Sequence, residues 1–164
     1  DDNPVLFFED KMMYNDKGPV PDEIDFFIPF GKAEIKKTGS DVTLVATSSM
    51  VSLSIQAAEK LQNEFSLSAE VVDPRTLVPL DEETIIASVK KTGYAIVIDE
   101  APKGYGATAE IAARIGELAF DYLDAPVIRI GAADLPIPFS PPLELPTIPD
   151  VDSIINAVRQ QRGH

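Results

Sequence analysis

The sequence of 164 residues contains no cysteine, no tryptophan and a single histidine, His164. Without cysteine the chain cannot form disulfides, thiolate nucleophiles or cysteine-ligated metal centres. One histidine at the last position, where chain ends usually fray, cannot complete a Ser/His/Asp or Cys/His catalytic group or a zinc site built from histidines. If the chain is part of an enzyme, we expect the reacting groups to lie elsewhere and no catalytic residue here.

Basic residues are also scarce, since 14 Lys and Arg stand against 27 Asp and Glu, for a net charge of −13. A protein that binds nucleic acid or an anionic membrane needs clustered Lys and Arg, so the charge argues against both partners and favours a basic protein segment. No run approaches the roughly 20 apolar residues that span a bilayer. The chain starts at Asp1 without an initiator Met or a signal-peptide pattern. We expect a piece of a longer chain, in the bacterial cytoplasm or an organelle matrix.

Hydrophobic residues make up 45% of the chain, which is enough for a folded core. From residue 41 onward, buried-type strands alternate with segments of helical periodicity. Strands are predicted at 42–47, 69–72, 95–98 and 127–130, and helices at about 50–61, 81–93, 109–122 and 150–162. Near the start, residues 5–8 also have a strand-type pattern. The alternation indicates an α/β fold with a mostly parallel sheet.

One loop between a strand and a helix has the pattern of a dinucleotide-binding site. Residues 104–109 read Gly104-Tyr105-Gly106-Ala107-Thr108-Ala109, or G-x-G-x-x-A. The loop follows the third strand of the regular part instead of the first, and an acidic residue suited to a ribose is missing at the next strand end. The favoured interpretation is that glycine lets the chain enter the helix closely. A nucleotide-binding regulatory module that uses this loop remains the alternative.

Charged residues follow two of the predicted strands. Asp99 and Glu100 could form a carboxylate pair, although neighbouring strand residues point to opposite faces, and a helix cap or an ion pair with Arg75 or Lys103 is favoured. Arg75 itself could bind a substrate phosphate or a carboxylate of another domain or subunit. The proline-rich apolar stretch 136–142 is expected either to contact another subunit or to cover the core of its own domain.

A series of segments in a fixed order gives a more specific indication. They are Asn3-Pro4-Val5-Leu6-Phe7-Phe8-Glu9, Ile28-Pro29-Phe30-Gly31-Lys32-Ala33, Asp73-Pro74-Arg75-Thr76-Leu77-Val78-Pro79-Leu80-Asp81, Asp99-Glu100-Ala101-Pro102, residues 106–113, Leu123-Asp124-Ala125-Pro126 and Pro136-Ile137-Pro138. The series resembles the C-terminal half of the beta subunit of thiamin diphosphate-dependent 2-oxoacid dehydrogenases, a family that includes pyruvate, branched-chain 2-oxoacid and acetoin dehydrogenases. The domain of this type is the transketolase C-terminal domain. Related transketolase and deoxyxylulose-phosphate synthase domains usually carry a histidine, which this domain lacks.

The resemblance implies a three-layer α/β domain whose five-stranded, mostly parallel sheet contains one antiparallel strand. It assigns residues 1–25 to the end of a preceding pyrimidine-type domain with its linker, and residues 26–164 to the transketolase C-terminal-like domain. The whole enzyme is implied to be an alpha2-beta2 heterotetramer that uses thiamin diphosphate and magnesium to decarboxylate a 2-oxoacid, or to cleave acetoin, and to acylate a lipoyl group. The cofactor contacts are implied to lie in parts that this chain lacks. Its implied contribution is assembly and docking.

Two sites are implied residue by residue. Asp1 and Asn3 match the edge of a structural potassium site, whose remaining ligands would precede this segment. Asp124, which stands before Ala-Pro, matches the acidic residue that pairs with an arginine of the dihydrolipoyl acyltransferase's subunit-binding domain. The chain's C-terminal carboxylate also belongs to that docking surface in the family, whereas the end here, Arg159-Gln160-Gln161-Arg162-Gly163-His164, is more basic.

Overall fold

The structure, a computed structural model, describes residues 2–163. Its strands and helices follow one another from residue 34 to residue 162. The strands are β1 (Glu34–Lys37), β2 (Val42–Ala46), β3 (Ala69–Asp73), β4 (Ala95–Pro102) and β5 (Ile128–Ala132), and the helices are α1 (Met50–Phe65), α2 (Glu82–Thr92), α3 (Ala107–Ala119), α4 (Pro141–Glu144) and α5 (Val151–Arg162). Short 3-10 turns cover Lys11–Asn15, Phe120–Tyr122 and Leu145–Thr147. None of the helices in this described range has the length and apolar character needed to cross a membrane.

The five strands form one sheet in the order β1-β3-β2-β4-β5. Strands β3, β2, β4 and β5 are parallel, and β1 pairs antiparallel with β3. Consecutive residues of β2 face opposite layers: Leu44 packs with α1 and α5, and Val45 packs with α2 and α3. The predicted three-layer α/β fold with one antiparallel strand is therefore confirmed.

The local predictions differ from the structure in several segments: β1 and α4 have no counterpart among the predicted elements, and β4 continues four residues past its predicted end at residue 98. Residues 5–8 pair with no strand among the described residues, and Leu6, Phe7 and Phe8 are exposed. The prediction of a strand there is wrong for this chain, because a strand needs a hydrogen-bonding neighbour as well as an apolar pattern. Helix α3 begins at Ala107, two residues earlier than predicted, and a 3-10 turn replaces its last predicted turn.

The ends of α2 follow the predicted capping pattern. Gly93 adopts a left-handed φ of +72° and donates its N–H to the carbonyl of Val89, as a terminal glycine does. At the other end, Asp81 accepts hydrogen bonds from the backbone N–H groups of Thr84 and Ala33. The second bond ties α2 to the chain just before β1.

Asp81→Ala is expected to lower the free energy of unfolding by about 2 kcal/mol at pH 7, because the variant loses a helix cap and leaves the Ala33 N–H without its acceptor. Burial opposes the charge, but the hydrogen bonds from Ala33 and Thr84 hold the pKa of Asp81 below its ordinary value. The stabilisation is thus complete above the unfolded pKa of about 4 and is lost as the pH falls through the lower folded value. Urea titrations of both proteins from pH 7 to pH 3 should show the difference shrinking.

Asp73 provides the control for this pH dependence. Burial raises the pKa of Asp73, against the opposing effect of the Arg75 backbone N–H. A raised folded pKa makes the charged form costly in the folded state, so the contribution of Asp73 to stability falls as the pH rises between its unfolded and folded values. Asp81→Ala should therefore destabilise the chain at pH 7 by an amount that shrinks toward pH 3, whereas Asp73→Asn should not show this pH dependence. The same pH dependence in both variants would contradict the assignment.

Candidate functional site

Asp124 lies at the edge of the sheet where the parallel strands begin, in the loop between the 3-10 turn Phe120–Tyr122 and β5. Its backbone N–H donates to the carbonyl of Gly93 at 2.8 Å. A Cβ atom added to Gly93 would lie 2.3 Å from Oδ2 of Asp124, so the carboxylate sits directly over the glycine main chain. The side chain is exposed and forms no ion pair within residues 2–163. It is therefore free to accept a cation from a partner.

An aromatic side chain accompanies this carboxylate. Tyr122, two residues before Asp124, exposes about half of its surface, and the ammonium of Lys90 lies 4.6 Å from its ring centroid. Lys90 is one turn before Gly93 at the end of α2. The surface around Asp124 thus combines a carboxylate that can accept hydrogen bonds from an arginine with a half-exposed aromatic ring that already contacts a lysine ammonium.

The basic end of the chain contacts its own domain. The guanidinium of Arg162 lies 4.3 Å from the ring centroid of Tyr94 and 3.9 Å from Oδ1 of Asp41. The guanidinium of Arg159 lies 4.7 Å from the ring of Phe65. Both arginines are therefore turned toward the domain, and the positive charge that the sequence places at this end does not stand free beside Asp124.

Three of the four non-glycine residues with positive φ among the described residues lie at the opposite edge of the sheet, where the parallel strands end; the fourth, Ser66, ends α1. Ser48, Arg75 and Tyr105 follow β2, β3 and β4 and have φ values of +50°, +59° and +57°. Residues other than glycine avoid this region, and such strain is concentrated at functional and contact sites. This carboxyl edge, defined here by Ser48, Arg75 and Tyr105, is the second candidate region of the molecule.

Arg75 uses its side chain within the domain. Its Nε donates to the carbonyl of Lys32 at 2.8 Å, its Nη2 donates to the carbonyl of Ala33 at 3.4 Å, and its Nη1 lies 3.6 Å from Oε2 of Glu34. The guanidinium of Arg75 therefore contacts the start of β1, and not the substrate phosphate or the carboxylate of another domain or subunit that the sequence suggested. The sequence could not reveal this, because these contacts join residues more than 40 positions apart.

Asp99 and Glu100 lie in the second half of β4 and do not form the ion pairs that the sequence favoured. Oε2 of Glu100 accepts a hydrogen bond from the Ser49 hydroxyl at 2.7 Å, and Oδ1 of Asp99 accepts a long one from the Ala101 N–H. Among the described residues neither carboxylate forms an ion pair with Arg75 or Lys103, so that prediction is wrong. Ser49 precedes α1 without capping it through its side chain, because its hydroxyl is turned to Glu100.

Large apolar side chains near the carboxyl edge are not covered by the rest of the domain. Val78, Ile137 and Phe139 expose 92%, 68% and 100% of their surface, and Tyr105 is fully exposed. The proline-rich stretch 136–142 therefore does not cover the core of its own domain, which leaves the other expectation, contact with another subunit. Exposed apolar side chains that cluster on a surface are typical of contacts with another protein.

The glycine loop before α3 is shaped by packing. A Cβ atom on Gly106 would lie 2.6 Å from the carbonyl oxygen of Pro102, whereas one on Gly104 would meet nothing within 4 Å. Gly106 thus lets the chain enter α3 closely, as the favoured interpretation requires. Beside the loop, an open cleft of about 430 Å³ is lined in part by Lys103, Gly104 and Asp134.

The potassium site implied for Asp1 and Asn3 stays a prediction. Asp1 lies outside the described residues, and Asn3 is an exposed residue near the start of the chain. Within residues 2–163 no three His, Cys, Asp or Glu side chains are grouped as metal ligands.

Comparisons with known proteins agree with the fold. The family model described as "Transketolase, C-terminal domain" matches residues 31–154. The chain is 46% identical over 163 residues to the acetoin:2,6-dichlorophenolindophenol oxidoreductase subunit beta of Bacillus subtilis (strain 168), covering 99% of this chain and 47% of that protein. It is 42% identical to the mitochondrial pyruvate dehydrogenase E1 component subunit beta-1 of Arabidopsis thaliana, covering 98% of this chain and 45% of that protein.

A solved structure titled "Split gene transketolase, inactive beta4 tetramer" superposes with a TM-score of 0.68 at 26% sequence identity. The superposition covers 87% of this chain and 45% of that one. The chain spans about half the length of the curated relatives it matches.

Proposed function

The chain belongs to the transketolase C-terminal domain family, and on that premise we propose that it is the C-terminal half of the beta subunit of a 2-oxoacid or acetoin dehydrogenase. The observation that carries the proposal is the match of almost the whole chain to beta subunits of acetoin and pyruvate enzymes. Thiamin diphosphate and magnesium serve the whole enzyme and are not bound by this domain alone. A chain without cysteine or internal histidine fits a supporting role.

The carboxyl edge is the proposed assembly face, which contacts the alpha subunit and a second beta subunit. Its three strained residues and the exposed side chains of Val78, Ile137 and Phe139 support this role. Burying an apolar side chain of this size contributes about 2 kcal/mol, so several of them together can hold subunits in place. The expected location is the bacterial cytoplasm or an organelle matrix.

The second proposed role is docking to the dihydrolipoyl acyltransferase. Asp124 is exposed, has no ionic partner within the described part of the chain and is fixed at its backbone by Gly93. A charge-assisted, bidentate hydrogen bond from an arginine is the strongest contact that such a carboxylate can accept. The excess of acidic residues favours approach of the basic subunit-binding domain.

Asp124→Asn is expected to weaken binding of the subunit-binding domain at least tenfold, because the partner's arginine loses its countercharge. The measurement is a titration of the assembled alpha2-beta2 enzyme with this domain at low and moderate ionic strength. The salt dependence of the affinity should also become shallower in the variant.

Asp121→Asn is the matched control, since Asp121 is exposed, lies three residues earlier and loses the same charge. This control is expected to change the affinity by less than about twofold, as a charge at the edge of an interface does. Equal effects of the two variants would show that overall charge, and not Asp124, determines docking.

A nucleotide-binding regulatory module is the alternative, and the cleft beside Gly104 and Lys103 is the observation that favours it. Calorimetry of the chain with NAD, ATP and thiamin diphosphate separates the two functions. The proposed function gives no saturable heat with any of them. Saturable heat with NAD or ATP that Lys103→Ala abolishes would support the alternative. Gly106→Val is unsuitable for this test, because its side chain would collide with Pro102.

A further inference from the structure

We propose that Gln161 is the positioning residue of the Asp124 loop and thereby sets the affinity of the docking surface. This inference rests on the proposed docking role of Asp124. Gln161 lies in the last turn of α5, and its side-chain amide nitrogen donates hydrogen bonds to two backbone carbonyls. One belongs to Pro126, at 2.8 Å, and the other to Ala95, at 3.2 Å.

The two carbonyls lie where β4 and β5 begin. The first paired residues of these parallel strands are Ile96 and Ile128, so the amide of Gln161 bridges the strands just ahead of their own ladder. Both partners are acceptors, and therefore only the amide nitrogen can face them. The bridge fixes Pro126, two residues after Asp124, relative to the start of β4.

The Asp124 loop is consequently held at two points. On one side the Asp124 N–H donates to the carbonyl of Gly93, and on the other side Pro126 accepts from Gln161. The ring of Tyr94, next to Gly93, is covered by the guanidinium of Arg162, the residue that follows Gln161. The end of α5 thus contacts both segments that determine where the Asp124 carboxylate stands.

The amide oxygen of Gln161 supports the same inference. It is buried and has no hydrogen-bond partner among the described residues. An unpaired buried oxygen is unfavourable, and an apolar side chain would avoid that cost. The two hydrogen bonds that the amide nitrogen donates therefore explain why a glutamine is favourable at this position.

Gln161→Glu tests the inference, because glutamate has nearly the same shape but no N–H group to donate. In the assembled enzyme, peptides that contain residues 123–126 should exchange their amide hydrogens about tenfold faster, since the loop loses one of its two attachments. Affinity for the subunit-binding domain should fall about fivefold to tenfold. Simple electrostatics predicts the opposite, because the substitution adds a negative charge near a surface for a basic partner.

Gln160→Glu is the matched control, since its exposed side chain adds the same charge one residue earlier. It should leave amide exchange unchanged and the affinity equal or slightly tighter. Gln161→Lys restores a donor at the same place and should recover most of the protection. In an Asp124→Asn background, Gln161→Glu should still accelerate exchange but no longer lower the affinity.

The outcomes separate this inference from the proposed function. Unchanged exchange in Gln161→Glu would overturn the positioning role, whatever the docking result. Faster exchange with unchanged affinity, while Asp124→Asn weakens binding, would overturn its link to docking. If Asp124→Asn leaves the affinity unchanged, the docking role of Asp124 fails and the affinity part of the inference fails with it. If amide exchange is nevertheless faster in Gln161→Glu, Gln161 positions the loop, but the loop has no role in docking.

Discussion

Gly39→Ala is expected to destabilise the chain by more than about 3 kcal/mol, beyond the usual cost of overpacking, because the new methyl group would collide with backbone. A Cβ atom on Gly39 would lie 2.2 Å from the carbonyl carbon of Ala69 and 2.3 Å from the nitrogen of Glu70. Neither atom can move without displacing the start of β3, a central strand of the sheet. Urea unfolding followed by circular dichroism measures the loss.

Gly116→Ala is the control for Gly39→Ala. Gly116 lies inside α3, and a Cβ atom there would meet nothing within 4 Å. Replacing a helical glycine by alanine should stabilise the chain by about 0.5–1 kcal/mol, because alanine loses less backbone entropy on folding. The two identical substitutions should thus act in opposite directions. A loss of less than about 1 kcal/mol for Gly39→Ala would contradict the close approach of the β1–β2 turn to β3.

Lys91→Met is expected to lower the free energy of unfolding by about 3 kcal/mol, the usual cost of leaving a buried charge without its partner. The side chain of Glu70 in β3 is fully buried, and its Oε2 accepts hydrogen bonds from the ammonium of Lys91 and the N–H of Gly39. Its other oxygen has no partner among the described residues. Without Lys91, the carboxylate retains a single hydrogen bond. Chemical denaturation at pH 7 measures the difference.

A second substitution distinguishes this cause from lost packing. In the double variant Lys91→Met, Glu70→Gln, the buried charge is gone, so at least half of the lost stability should return. Lys90→Met is the neighbouring control: Lys90 contacts the exposed ring of Tyr122, and its loss should cost less than about 1 kcal/mol. If Lys90→Met is as harmful as Lys91→Met, the Glu70 ion pair is not the source of the effect.

The sequence predicted the fold well because its signals are local. The predicted strands β2, β3 and β4 consist mainly of apolar and β-branched residues, as strands buried on both faces do, and Asp81 and Gly93 stand where helix α2 begins and ends. The prediction of a strand at residues 5–8 was wrong because a local pattern does not show whether a partner strand is present. Their pattern is strand-like, but no partner strand lies beside them within the described residues. A pattern indicates which face can be buried, and the neighbour decides whether it is.

The candidate site was predicted in part. Motif resemblance pointed to Asp124, and the structure adds that its carboxylate is exposed and lies over Gly93. Its role in docking remains a prediction. No local pattern marks Gln161, because its two partners are 35 and 66 residues away. The contact of Arg75 with the start of β1 could not be predicted for the same reason, because its partner Lys32 is 43 residues away in sequence.

The sequence by itself determined the α/β class, the alternation of the four parallel strands with helices α1, α2, α3 and α5, the family and the lack of an internal catalytic histidine or cysteine. These properties depend on residue types and short-range periodicity, which can be identified in the sequence without knowledge of the fold. Only the tertiary structure decided which charged groups are already engaged, since Glu70, Arg75 and Glu100 find their partners through contacts between distant segments. The same long-range packing leaves Asp124 free at one edge of the sheet and apolar side chains uncovered at the other.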